Sequence, residues 1–322
     1  MKSFLLFLGL FLLGSAAAFA QVTTASPQAP PAQVIERPSR TSQIRDMQTP
    51  TVNPAFTPDG LALRMTILQS SVQPLYRKPT REELQMIAPN SGLLQKFDEF
   101  LRGDNTGLFK LLVDVGCAGN PNIVVAKEKC LKFTMPGAGN SYSFRTNNYR
   151  IRHLADLTFS GKNFYVSGVL MHGIMVNIGD VPLENVTLQT DGLKFLNEFQ
   201  PTDDFEKAKV LDQQFVNGVT KDGFFYSRTL ASLENTTYIL RSIAYDGRIM
   251  RTVRGIPYNE LDFDKRKDIT VAFRVVSLDG DGSLTILWKE LSRKDAPKFK
   301  KKFLERNKKI KENKFIAKNQ VK

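Results

Sequence analysis

The sequence predicts a mainly β, α+β fold: an antiparallel sandwich or barrel-like sheet, preceded by two short helices and followed by a basic C-terminal helix. Three observations carry this. Near Leu108 the apolar spacing changes from about 3.6 to about 2 residues. From there on, Gly, Asn and Asp turn signals recur at short intervals, as they do between strands. No alternation of strands with amphipathic helices is visible, which argues against a parallel nucleotide-binding sheet.

The chain opens with Lys2, an apolar run from Phe4 to Leu13, and small residues at Ala18 and Ala20. That order is a secretory leader, expected over residues 1–20 with cleavage between Ala20 and Gln21. The apolar core is half the roughly 20 residues that span a bilayer, so a cleaved leader is favoured over an anchor. Residues 21–60 are rich in Pro, Gln, Ser and Thr and read as a flexible linker. The alternative is that Ala55 to Met65 lies along the domain as an ordered strap.

A β-rich domain is expected over 61–292. Its first element is a capping box at Pro79-Thr80-Arg81-Glu82-Glu83, where Thr80 and Glu83 satisfy each other's backbone donors. Pro89 closes that helix. A second runs from about Ser91 to Arg102, with Leu93, Leu94, Phe97, Phe100 and Leu101 at helical spacing and Gly103 offering a left-handed stop. Strands follow. Phe109 to Gly116 is one. Leu157-Thr158-Phe159 and Phe164-Tyr165-Val166, joined through Gly161, form a hairpin, and Tyr238 to Tyr245 is another strand. In the last pair, Val271, Phe273 and Val275 alternate with polar or small residues, as do Leu284, Ile286 and Trp288. Asp279-Gly280-Asp281-Gly282 turns between them, so each strand presents one apolar face to a core.

Cys117 and Cys130 are the two cysteines of the chain. In an exported protein they predict a disulfide closing a loop of about fourteen residues, worth roughly 3 kcal/mol by loop entropy. A redox pair would sit closer together, and a metal site would need more ligands nearby.

Catalytic motifs are absent from the sequence. There is no Gly-x-Ser-x-Gly elbow and no His-Glu-x-x-His. His172 lies in an apolar strand-like run and reads as a satisfied interior histidine; His153, after Arg150 and Arg152, reads as an exposed strand end. Asp279, Asp281, Ser283 and Glu290 fit positions 1, 3, 5 and 12 of a calcium loop, but position 6 is Leu284 where Gly is required. A solvated turn is the better reading. No metal or other cofactor is implied.

Charge is concentrated at one end. Residues 293–322 hold eleven Lys and two Arg against three acids, a net of +10 out of +13 for the whole chain. With Lys2 also set aside, residues 21–292 carry only +2. From Ala296 onward, Phe299, Phe303, Ile310, Ala317 and Val321 share one narrow helical face. The tail therefore reads as a basic helix with a thin apolar stripe, the alternative being a solvated, fraying or disordered segment. Lys298, Lys300, Lys301, Lys302, Arg306, Lys308, Lys309, Lys311 and Lys314 are the expected anionic-surface contacts. The partner is an anionic membrane surface or an acidic polysaccharide. Nucleic acid is disfavoured, since the two aromatics on that stripe, Phe299 and Phe303, offer little base stacking.

Tyr238-Ile239-Leu240-Arg241-Ser242-Ile243-Ala244-Tyr245-Asp246, Val271 to Val276 and Asp281 to Lys289 together resemble a segment of a family of uncharacterised exported bacterial proteins; Gly139 to Arg145 fits the same pattern. The resemblance implies bacterial export, to the periplasm, the envelope or outside the cell, and implies no activity. The sequence-based expectation is a non-catalytic binding or scaffold module with a basic tether. The alternative is an exported hydrolase, to be recognised by an acid and a hydroxyl converging on His172 or His153.

Overall fold

The computed structural model describes residues 58–113 and 135–300. The expected leader, most of the Pro-rich segment, Cys117, Cys130 and the chain beyond Lys300 lie outside the described residues.

Helix α1 (Pro58–Ile67) starts on a proline, whose fixed φ and missing N–H suit a first helical position. The expected linker thus ends before residue 60. The helix runs through a π-helical turn, Leu68–Val72, into α2 (Gln73–Tyr76). Next comes α3 (Arg81–Met86), capped as expected. Thr80 Oγ1 accepts from the Glu83 amide at 3.2 Å and Glu83 accepts from the Thr80 amide at 2.8 Å. The expected second helix is divided at Phe97 (φ −105°, ψ 16°) into α4 (Ser91–Lys96) and α5 (Asp98–Leu101). The left-handed residue that follows is Asn105 (φ 53°), not Gly103. Its carbonyl accepts from the Glu290 amide, which fixes where the first strand begins.

The large sheet has seven strands in the order β1-β14-β13-β10-β6-β8-β7. These are β1 (Thr106–Leu111), β6 (Met171–Gly179), β7 (Val219–Lys221), β8 (Phe224–Ser227), β10 (Thr237–Ala244), β13 (Lys267–Leu278) and β14 (Leu284–Asp295). A second sheet orders β3 (Asn148–Tyr149), β2 (Ser141–Ser143), β4 (Leu157–Phe159), β5 (Asn163–Tyr165) and β9 (Thr229–Ala231). The hairpin of β11 (Met250–Val253) and β12 (Ile256–Asn259) stands apart. Every described strand pairing is antiparallel.

One face of the large sheet and the five-stranded sheet share a core. Phe109, Tyr238, Phe273 and Trp288 meet Tyr142, Phe144 and Phe164 there. The Phe109 and Tyr142 rings stack at 3.7 Å. The opposite face, carrying Ile174, Val176, Ile239, Ala272 and Leu287, packs with residues of α6 (Lys194–Glu198) and α7 (Phe205–Asn217). Both faces are therefore covered, which explains why every residue of β10 is buried. The large sheet ends in two edges, β1 and β7, and does not close into a barrel. The helices on its second face also make it more than a two-sheet sandwich. The last hairpin turns where expected, with Asp279 N–H to Ser283 O and Gly282 N–H to Asp279 O, both 2.8 Å.

The C-terminal end departs from expectation. β14 extends to Asp295 because β13 is twelve residues long and pairs along its length, Lys267 opposite Asp295. Residues 296–300 form no helix, and Lys298 makes a parallel bridge with Asp246. Residues 296–300, where the basic helix was expected to begin, spend backbone groups on the body instead, Asp246 N–H to Pro297 O and Lys300 N–H to Asp203 O; the rest of that expected helix lies outside the described residues.

Candidate functional site

His172 opens the search. It sits on β6, on the helix-covered face, with its side chain 4% exposed. Its Nδ1 lies 3.4 Å from Asp212 of α7, whose other oxygen holds Arg228 at 2.6 Å. Phe199, Phe215 and Tyr245 meet the imidazole edge-on, Tyr245 at 5.3 Å between centroids. The His172 Nε2 is buried without a hydrogen-bond partner, and the Tyr245 hydroxyl is buried beside the Thr202 backbone. Burial pushes the Tyr245 phenol well above its ordinary pKa. An acid–imidazole pair is thus present, with the imidazole buried and its acid partly exposed.

Tyr245 is itself covered. Phe299 stacks on it at 4.3 Å, with the ring planes 8° apart, and meets Phe205 edge-on at 5.3 Å. On either side, Lys298 pairs with Asp246 at 3.3 Å and Lys300 with Asp203 at 3.0 Å. Of the nine cations expected to meet an anionic surface, these two are placed on the body. Lys301, Lys302, Arg306, Lys308, Lys309, Lys311 and Lys314 lie outside the described residues.

His153 belongs to a different cluster. Its Nδ1 is 3.5 Å from Glu260, a carboxylate 3% exposed. Glu260 also accepts from the Tyr76 hydroxyl at 3.1 Å and Arg251 Nε at 2.8 Å. Desolvation raises the Tyr76 pKa, and Tyr258 and Glu260 raise it further. The carboxylate is saturated by its neighbours and ties α2 to the β11–β12 hairpin. Among the described residues neither imidazole has a hydrogen-bonded Ser or Thr hydroxyl.

No three His, Cys, Asp or Glu side chains among the described residues are placed to share a metal ion. The Asp279 carboxylate, first in the calcium-like pattern, is taken by Lys110 at 2.5 Å. A shallow groove of about 160 Å³ lies between α4 and the Pro182–Leu183 turn, floored by Phe97, Leu183 and Leu287. Its Arg274 is already held by Asp180 and by the Thr237 hydroxyl at 3.1 Å. Comparison of the chain with family models, with curated proteins and with solved structures finds no match. Function rests on geometry and charge.

A second buried cluster escaped the sequence. Asp156 accepts from Ser143 Oγ, the Arg145 amide and Arg145 Nε at 2.7–3.2 Å, and from Ser242 Oγ. Arg145 reaches on to Asp264, which also holds Arg266 at 2.8 Å. Burial alone would lower the Arg145 pKa, but Asp156 and Asp264 more than offset it and leave it raised. Every charge here is answered by protein, so the cluster braces the sheets. The sequence carried one signal for the His172 cluster that went unread: Asp204, then Ala208, Leu211, Phe215 and Gly218, which spell a capped helix.

Proposed function

We propose that this protein is an exported, non-catalytic β-rich binding or scaffold module, held on an anionic surface by its Lys-rich C-terminal segment. One observation carries the reading: the basic segment has a fixed root on the body. Phe299 is stacked into the body, while the Lys298 and Lys300 side chains remain 76% and 72% exposed. Beyond them, residues 301–322 add eight Lys and one Arg against two Glu. A tether must pass its load to a folded domain, and a seated aromatic root does that better than a fraying end. The enzyme alternative has less behind it, because the His172 imidazole is buried and no Ser or Thr hydroxyl bonds to it among the described residues.

Among anionic surfaces, lipid headgroups fit best. Phe303, Leu304, Ile310, Phe315, Ile316 and Val321 are spread among the lysines. An acidic polysaccharide gains little from the aliphatic Leu304, Ile310, Ile316 and Val321, whereas the headgroup–acyl boundary takes them up. Each Lys near an anionic leaflet adds about 1 kcal/mol, screened by salt. Changing Lys301, Lys302, Lys308, Lys309, Lys311 and Lys314 to Gln in the full-length chain should abolish salt-sensitive co-sedimentation with phosphatidylglycerol vesicles. The near-UV spectrum should not change. Undiminished co-sedimentation would refute the tether.

A further inference from the structure

We propose that residues 296–300 form a latch that an anionic lipid surface opens, uncovering the Tyr245–His172 aromatic cluster. This rests on the tether reading above and adds a consequence to it.

The latch has three kinds of contact. Phe299 lies flat on Tyr245 and against Phe205. Two backbone hydrogen bonds, Asp246 N–H to Pro297 O at 2.9 Å and Lys300 N–H to Asp203 O at 3.0 Å, hold the segment extended. Two ion pairs flank the ring, with Asp246 and Asp203 half-exposed. Ion pairs this open to solvent are weak and salt-sensitive. They use the lysines that stand next to the surface-seeking run, so a dense array of phosphates competes with Asp246 and Asp203 for the same charges. What holds against that competition is one aromatic ring and two backbone hydrogen bonds.

Beneath the ring lie two buried polar groups, the Tyr245 hydroxyl beside the Thr202 backbone and His172 Nε2, which has no partner. Tyr245 is 1% exposed and His172 3%. Buried polar atoms without partners are costly, and opening to water relieves that cost. The closed state therefore stores an incentive to open, and the tail supplies the trigger. An opened latch offers a flat aromatic face with two hydrogen-bonding groups behind it, at the point where the protein meets the surface.

Amide exchange at Asp246 tests this, since that donor sits on the body and its acceptor on the latch. Full-length Phe299→Ala calibrates the open state, and its Asp246 amide should exchange about tenfold faster than wild type or more. Wild type on phosphatidylglycerol vesicles should move to the same rate, and on phosphatidylcholine vesicles it should not. Co-sedimentation with unchanged exchange would overturn the latch and leave the tether standing. Failure to co-sediment removes both. Opening by an acidic polysaccharide but not by vesicles would reject the lipid trigger. A Phe299→Ala chain as protected as wild type would show that the ring is no latch.

Discussion

At Gly107 the backbone of β1 passes so close to Trp288 that a Cβ would sit 2.4 Å from the indole Nε1. The two residues are register partners, so the missing side chain makes room for the one tryptophan of the chain. Trp288 is 2% exposed and meets Phe144 at 5.2 Å, leaving the ring no direction in which to yield. Gly107→Ala should therefore destabilise the fold by about 1–3 kcal/mol, the range for overpacking a filled core. Gly280→Ala is the control, because a Cβ there meets nothing within 4 Å. Equal urea midpoints for the two variants would reject the steric argument. Trp288 was legible as a core residue from its alternation with Thr285 and Lys289. Gly107 was not, since a glycine in a strand carries no periodic signal. The same holds for the candidate site. His172 was legible as an interior histidine, but its acid stands forty residues later on a helix the sequence reading did not find.

Elements with strong local signals emerged as expected and those without did not. The β13–β14 hairpin and the Thr80–Glu83 cap are specified by residues within a few positions of one another. Helix α7 was missed because its outward face carries Val210 at 60% exposure and Val216 at 51%, which blurs the contrast between its two sides. The β11–β12 hairpin was missed because its turn places Arg254 at φ 46° before Gly255 at φ 78°. That geometry is usually announced by Asn or Gly. The β13–β14 turn also carries a pH signature. Lys110 of the edge strand holds the Asp279 carboxyl below its usual range, with help from Ser277 and Ser283. A depressed folded-state pKa gives stabilisation that is complete above the ordinary carboxylate range and lost as pH falls through the lowered value. Asp279 is about a third exposed, so solvent screens the pair and its worth is about 1 kcal/mol or less. The stability difference between wild type and Lys110→Met should therefore shrink between about pH 5 and about pH 2. Urea midpoints across that window check it, and a constant difference would mean that the pair does not couple to folding.

At the scale of the whole molecule, the question is what binds the two sheets into one cooperative unit beyond their shared apolar core. Asp156 follows the 3-10 turn before β4 and collects donors from Ser143 on β2, from Arg145, and from Ser242 on β10. A single carboxylate thus touches both sheets. Through Arg145 and Asp264 it also reaches Arg266, whose remaining donors hold the Val169, Leu170 and Tyr245 carbonyls. That last link ends at the residue Phe299 covers, so the brace and the latch share a strand end. None of this is local in sequence: Arg145 and Asp264 are 119 positions apart. Pattern reading therefore found the strands with strong alternation and not the tie between the sheets. Removing one member leaves a buried charge uncompensated, so Asp156→Ala and Arg145→Met should each cost about 3–5 kcal/mol. Removing both should cost less than the sum, by about 0.5–3 kcal/mol, because the second change relieves what the first exposed. Urea denaturation of the four chains closes the cycle. Additive losses would show that Asp156 and Arg145 act separately, and that the apolar core alone joins the sheets.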